Sequence, residues 1–256
     1  MLLRHDADGI ATLTLNRPQS RNALSVGLMA ALQAELDRIK ADRAVKVVVL
    51  AAAGPGFCAG HDLREMRANP GRQAYEALFA QCSRLMLSIV TLPQLVIAKV
   101  HATAAAAGCQ LVATCDLAIA SSAAKFAVNG VNIGLFCSTP MVALTRAIPR
   151  KAAMHMLTTG AMIDAAEAQR LGLVNKVVAP EALDAATTEL AGTVAAKSPL
   201  ALAVGKEAFY RQLELGLADA YAYAGEVMTR NMLARDAEAG IDAFLAKQPA
   251  PQWQGR

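Results

Sequence analysis

Apolar and polar residues alternate over Ile10-Ala11-Thr12-Leu13-Thr14-Leu15, the period of a strand with one buried face, and the run stops at Asn16-Arg17-Pro18. From Ser25 the period changes. Leu28, Leu32, Leu36 and Ile39 recur at helical spacing, which predicts an amphipathic helix with Ser25 as its N-cap. Val45-Lys46-Val47-Val48-Val49-Leu50 is β-branched and nearly all apolar, as a strand covered on both faces must be. Small residues fill Ala51 to Gly60, and a helical stripe of Leu78, Cys82, Leu85 and Ile89 comes next. Leu95 to Val100 reads as a second apolar strand, leading through the small residues Thr103 to Gly108 into a helix over Cys109 to Thr114. Leu117 to Ala120 reads as a third strand. Asp164 and Glu167 have capping-box spacing for a helix that Gly172 ends, ahead of a strand from Val174 to Val178. Beyond Pro180 the pattern is helical, with a break at Lys197-Ser198-Pro199. Strands and helices joined by short crossovers, then helices alone, predict an α/β core followed by a helical region.

Composition narrows the class. Hydrophobic residues make up 55% of the 256 and mean hydropathy is +0.32, yet aromatics are only 4% and 56 residues are alanine. Such small side chains point to close helix and backbone packing. The longest unbroken apolar run, Val47 to Ala53, falls far short of the ~18–20 residues of a membrane span. Met1 to Asp6 carries an acidic residue where a leader would be apolar or Arg/Ser-rich, so a soluble, cytoplasmic protein without a membrane partner is expected. The 25 Lys and Arg against 21 Asp and Glu are scattered and not interleaved with aromatics, which argues against nucleic acid as a partner. Cys58, Cys82, Cys109, Cys115 and Cys137 are odd in number and lack CxxC spacing, so they are expected as small buried thiols in a reducing compartment. His5, His61, His101 and His155 form no cluster, and no metal site is expected.

The candidate chemistry lies in the two small-residue turns between strand and helix. A helix start presents unpaired N–H groups, which suit a phosphate or the oxyanion that develops on an acyl carbonyl. Gly54, Gly56 and Gly60 do not have dinucleotide-binding spacing, and Pro55 interrupts them. Each turn alone reads better as a tightly packed strand-to-helix connection. Together, each after a buried strand, they predict a two-donor oxyanion hole.

The strings Leu15 to Pro18, Arg21 to Leu24, Gly56-Phe57-Cys58-Ala59-Gly60-His61-Asp62-Leu63, Ala106-Ala107-Gly108-Cys109-Gln110-Leu111 with Cys115-Asp116, and Gly172-Leu173-Val174 resemble the enoyl-CoA hydratase/isomerase (crotonase) superfamily. Thr159-Gly160 through Glu167-Ala168, Lys197-Ser198-Pro199 and Glu238 to Phe244 extend the resemblance over nearly the whole chain. Gly130 to Pro140 resembles, more narrowly, the branch of enoyl-CoA hydratase domain-containing protein 3. The resemblance implies a ClpP-like spiral of repeated ββα units over residues 1–196 holding an acyl-CoA site. It implies a helical trimerisation region over residues 197–256, giving a homotrimer or a dimer of trimers. It implies a coenzyme A thioester as substrate or ligand, with no permanently bound cofactor, whose carbonyl lies on the backbone N–H groups of His61 and Ala107. Ala59, His61 and Leu63 would line the CoA adenine, and Arg21 and Lys206 would face its phosphates.

Family hydratases place glutamates as general base and general acid at two positions that here are Gln110 and Gly130. Neither replacement exchanges a proton near neutral pH, and each such group is worth about 10²–10⁴-fold in rate. Standard 2-enoyl-CoA hydration is therefore expected to be weak or absent, in a protein of fatty-acid or short-chain acyl-CoA metabolism. His61 is the one imidazole in a motif loop and a candidate proton carrier, or else a wall of the CoA pocket. Cys137 is expected as a buried small residue, Asp62 as a brace of its loop, and Asp116 as a structural group at a strand start. Two alternatives stand: an acyl-CoA decarboxylase relying on the oxyanion hole, and a non-catalytic acyl-CoA binding or scaffold protein.

Overall fold

A computed structural model describes residues 1–256. Strands β1 (Leu2–Ala7) and β2 (Ile10–Leu15) pair as an antiparallel hairpin closed by Asp8 and Gly9, both at positive φ, as a two-residue hairpin turn of the favoured twist requires. Ala11, Leu13 and Leu15 are buried while Ile10, Thr12 and Thr14 are half-buried, as the alternation predicts. Helix α1 (Val26–Ala41) starts where Ser25 accepts the N–H of Leu28, and its predicted apolar stripe is buried. Strand β3 (Val47–Ala52) begins two residues later than its apolar run, because Lys46 N–H bonds the Gly9 carbonyl of the hairpin turn.

Short α2 (Leu63–Ala68) and long α3 (Arg72–Thr91) precede β4 (Leu95–Val100). Next come β5 (Ala104–Ala105), α4 (Ala107–Thr114), β6 (Leu117–Ser121) and β7 (Lys125–Ala127). A 3-10 turn over Asn129–Ile133 leads to α5 (Ser138–Ala147) and α6 (Arg150–Thr159). β8 (Ile163–Asp164), α7 (Ala165–Leu171), β9 (Lys176–Val178) and α8 (Leu183–Ala195) complete the core. The predicted capping box of α7 is half formed. Asp164 accepts the Glu167 N–H, but the Glu167 side chain turns to Arg170.

The main sheet has the order β1-β2-β3-β4-β6-β9, parallel from β2 onward. Each new parallel strand adds to the same edge, so the chain advances as a spiral and never doubles back. A second sheet of β5, β7 and β8 collects the short strands, which makes β4-β5-α4 and β6-β7-α5 repeats of one ββα unit. This is the mixed α/β spiral that the resemblance implies. β3 is apolar throughout because both its faces are covered. Val48 and Leu50 join the main core with Leu28, Leu32 and Leu85, while Val47 and Val49 pack with Ile97 against Ala191 and Ala195 of α8.

Helices α9 (Pro199–Gln212), α10 (Leu217–Met232) and α11 (Arg235–Leu245) follow. Ser198 caps α9 through the Ala201 N–H. The Asp236 carboxylate takes Ser198 Oγ at 2.6 Å and the N–H groups of Gln254 and Gly255, clasping the C-terminal tail to the start of α9. Leu217 and Phe244 on these helices and Leu233, the C-cap of α10, are 77%, 81% and 83% exposed. No helix is long and apolar enough to cross a membrane.

Candidate active site

The site is built where the loop after β3 meets the start of α4. Asn22, fully buried at φ +54, crosslinks that loop: its Oδ1 accepts the Arg17 N–H, and its Nδ2 donates to the carbonyls of Ala53 and Gly56, each at 2.8 Å. Phe57 and Cys58 N–H groups both bond the Thr103 carbonyl, and Ala105 N–H bonds that of Cys58 at 2.8 Å, so the two small-residue turns are zipped edge to edge. Glycine is required at two points of this seam. A Cβ on Gly108 would lie 2.2 Å from the Cys58 oxygen. One on Gly60, at φ +94, would lie 2.9 Å from Ala106 Cβ and 3.3 Å from the Ala107 nitrogen. The backbones of residues 60–61 and 106–107 therefore meet, as the paired-loop pattern predicts.

Two N–H groups are left over at this meeting. Leu24 N–H bonds Gly60 O, and Asp62 N–H bonds Leu24 O, but the intervening N–H of His61 has no acceptor in the protein. Ala107 opens α4, so its N–H has no carbonyl one turn earlier in the helix. Ala106 sits at φ +50, ψ −118, a region alanine avoids, and is held there by Ala127 O accepting its N–H and by its own carbonyl accepting from Gln110 N. Neither turn signals this strain in the sequence.

Asp62 braces the loop as expected. Its carboxylate pairs with Arg17 at 3.1 Å and accepts the Glu65 N–H at the start of α2. Burial alone would raise its pKa, but Arg17 and the helix N–H groups outweigh burial and hold the carboxyl below its ordinary value. Ala59 and Leu63 are exposed on the outer side of the loop, and Arg21, at φ +47, is an exposed cation without an ion pair beside Gly56.

His61 carries its imidazole inward. The ring meets Phe79 of α3 edge-on, with centroids 5.7 Å apart, and neither ring nitrogen has a hydrogen-bond partner. Burial pulls its pKa below the ordinary value, against a smaller opposing pull from the Leu24 backbone beside the ring, so the ring is neutral at pH 7. Phe79 and Cys82, one turn apart on α3, are site residues that the sequence pattern did not single out, Cys82 lying within the apolar stripe and Phe79 beside it.

Gln110 is 5% exposed, and Cys82 Sγ lies 4.0 Å from its Oε1. Gly130 is buried, donates its N–H to Cys137 Sγ at 3.3 Å, and has no room for a side chain: a Cβ would fall 2.6 Å from Leu135 O. All five thiols are buried and unpaired, and burial pushes Cys58 and Cys109 up to about 12 and Cys82 to about 11. They are thiols at neutral pH and poor nucleophiles. No group of three or more His, Cys, Asp or Glu is gathered to hold a metal ion.

Lys206 is a correction. Expected near CoA phosphates, it is buried, and its ammonium donates to Ile89 O at 2.8 Å, Gln94 O at 3.0 Å and Asp116 Oδ2 at 2.6 Å. All three of its protons are used inside the protein, so none is free for a phosphate. Asp116 also takes the Val96 N–H and the Tyr210 hydroxyl, tying α9 to two strands of the main sheet. The role expected of it is structural, and the network is wider than a strand start.

The enoyl-CoA hydratase/isomerase family model matches residues 5–256. Enoyl-CoA hydratase domain-containing protein 3, mitochondrial, of Rattus norvegicus is 44% identical over 246 residues, covering 96% of this chain and 82% of that one. A crystal structure of enoyl-CoA hydratase from Mycobacterium smegmatis superimposes with TM-score 0.96 at 54% identity over 98% of both chains. The human enoyl-CoA hydratase domain-containing protein 3 structure gives TM-score 0.95 at 42% identity, over 98% of this chain and 99% of that one. The cytoplasmic expectation is overturned by the relatives named enoyl-CoA hydratase domain-containing protein 3, whose names place them in mitochondria. Compartment addresses reside in segments apart from the packed fold, so the composition of a folded domain carries none.

Proposed function

The chain belongs to the enoyl-CoA hydratase/isomerase family, and on that premise we propose that it binds an acyl-CoA thioester without efficiently hydrating it. The thioester oxygen lies between the N–H of His61 and that of Ala107. The observation that carries this is the meeting of the two loops at Gly60, which leaves the His61 N–H without an acceptor beside the Ala107 nitrogen. Two preorganised backbone donors favour a developing enolate or tetrahedral oxyanion over the ground-state carbonyl. Arg21 is the cation left for the nucleotide phosphates, and Ala59 and Leu63 offer an apolar margin beside it.

Proton transfer lacks its agents. Gln110 supplies an amide, and the tight turn at Gly130 supplies no side chain and no space for one. An activated water and a carbon acid are both needed for hydration, and the missing pair is worth about 10²–10⁴-fold for each member. Decarboxylation escapes that requirement, since loss of CO₂ to an enolate needs no base. The pairing of Arg17 with Asp62 and the saturation of Lys206 leave no inner cation for a substrate carboxylate, which supports the binding protein over the decarboxylase. The exposed apolar residues of α9 to α11 support a homotrimer or dimer of trimers built through those helices.

Calorimetry with crotonyl-CoA, together with loss of its enoyl absorbance, tests this. Micromolar binding with hydration at least about 10³-fold below a two-glutamate family member is expected. Absence of binding, or hydration at the rate of such a member, overturns it.

A further inference from the structure

The zip between the two small-residue turns ends short of the site. Its last rung is Ala105 N–H to Cys58 O. From there the first turn bonds only away from the second: Ala59 N–H to Arg21 O, Leu24 N–H to Gly60 O and Asp62 N–H to Leu24 O. No backbone hydrogen bond joins residues 59–62 to residues 106–108. At the mouth the turns meet through a methyl group instead. A Cβ on Gly60 would lie 2.9 Å from Ala106 Cβ, so the Ala106 methyl already fills the space beside residue 60. It is part-buried and packs on the edge of the main core. The methyl is held there under strain. A φ of +50 with ψ −118 belongs to the first central position of a type II′ turn, which glycine adopts freely and an L-alanine does not. Two bonds enforce it, Ala106 N–H to Ala127 O at 2.8 Å and Gln110 N–H to Ala106 O at 3.0 Å. A glycine would make the same two bonds, so the strain comes from the Cβ alone.

We infer that Ala106 is a positioning residue, its strained methyl being the spacer that sets how far apart the His61 and Ala107 N–H groups stand. This rests on the thioester site proposed above. Gly60 directly precedes His61 and Ala106 directly precedes Ala107, so the two residues in contact are those that carry the donors. Two N–H groups polarise one oxygen only when both point at it from hydrogen-bond distance, and a preorganised pair needs something rigid to keep them so. The first turn is anchored outward, at Arg21 and Leu24, with nothing hydrogen-bonded across to the start of α4. Without the methyl, Gly60 is free to settle toward residue 106 and the donors lose their common aim. Strained backbone persists where the surrounding structure over-determines it, and it collects at sites whose geometry has to be held.

Thermal unfolding, calorimetry and carbon-13 NMR with carbonyl-labelled butyryl-CoA compare the full chain as wild type, Ala106→Gly and Ala106→Ser. Ala106→Gly is expected to unfold about 2–6 °C higher, since relief of the strain outweighs the extra freedom of glycine in the unfolded chain. The same variant is expected to bind butyryl-CoA about threefold to tenfold more weakly, the worth of one hydrogen bond, with a smaller downfield shift of the bound carbonyl. Ala106→Ser keeps the Cβ and its strain, and is expected to retain most of the carbonyl shift without the gain in melting temperature. Opposite signs for stability and ligand response mark a spacer, because lost packing alone lowers both. Wild-type affinity and carbonyl shift in Ala106→Gly overturn the spacer and leave the thioester site standing. An Ala106→Gly protein that unfolds below wild type, or fails to fold, overturns the strain and the inference with it. Wild type that does not bind butyryl-CoA, or whose bound carbonyl is unshifted, overturns the thioester site itself.

Discussion

Gly130 gives its N–H to Cys137 Sγ at 3.3 Å, and the same sulfur would lie 2.9 Å from any Cβ placed on residue 130. The turn has thus closed over residue 130, the position to which the family resemblance assigns an acidic side chain in hydratases. Gly130→Glu is expected to destabilise the protein by about 1–3 kcal/mol, as overpacking of a core does, and the double variant Gln110→Glu/Gly130→Glu to gain no hydration. Urea denaturation and the crotonyl-CoA absorbance assay check the two halves. A double variant that is stable and hydrates crotonyl-CoA contradicts the tightness of the turn.

The glycines of the seam should rank by the room each has. Gly108→Ala puts a methyl 2.2 Å from a backbone oxygen and is expected to be the most damaging, with Gly60→Ala next because its φ of +94 adds strain. Gly192, inside α8 with nothing within 4 Å of its missing Cβ, is expected to gain about 0.5–1 kcal/mol as alanine. Thermal unfolding of the three variants gives the order directly.

Much of this was legible in the sequence, and the exceptions have physical causes. The stripes of α1 and α3 and the doubly covered β3 read correctly because burial on one face or two leaves a period. The Asp8-Gly9 hairpin and β1 escaped notice because β1 is an edge strand with mostly exposed, polar residues, although Asp-Gly is a strong turn signal. β5 and β8, two residues each, are too short to have a period. The two turns were visible as strings. The inward ring of His61, the strain at Ala106 and the closure over Gly130 were not, since each depends on what a distant segment places against it. Lys206 misled for the same reason: a lysine on a helix reads as solvated until Asp116, Ile89 and Gln94 are seen around it.

Removing Lys206 should be costly for stability. Lys206→Met leaves the Asp116 carboxylate buried without its cation, a loss of about 3–5 kcal/mol. Lys206→Met/Asp116→Asn should recover part of it, and denaturation of the single and double variants measures the recovery. Equal loss in both contradicts the pairing.

Stability should fall as pH drops from 7 to 5, in part through His61. Its folded pKa lies below the unfolded value near 6.5 because burial opposes the charged ring. Below that value the unfolded chain takes up a proton that the folded protein refuses, so folding is progressively disfavoured. His61→Phe should flatten this part of the profile, and denaturant midpoints at pH 7, 6 and 5 show whether it does. An unchanged slope contradicts the buried, uncharged ring.

The subunit contact proposed through α10 and α11 predicts that charges there dissociate the proposed assembly. Leu217→Glu/Leu233→Glu/Phe244→Glu should elute as a monomer where wild type elutes as a trimer or hexamer, by light scattering. Wild type that is monomeric at all concentrations contradicts this interface.

Carbon-13 NMR of carbonyl-labelled crotonyl-CoA added to the protein tests most directly whether the thioester sits on two backbone donors in a site without an acid/base pair. A bound carbonyl signal shifted downfield, as polarisation by the His61 and Ala107 N–H groups requires, and persisting without conversion to the hydroxy ester, is the predicted result. An unshifted carbonyl, or rapid conversion to 3-hydroxybutyryl-CoA, would contradict it.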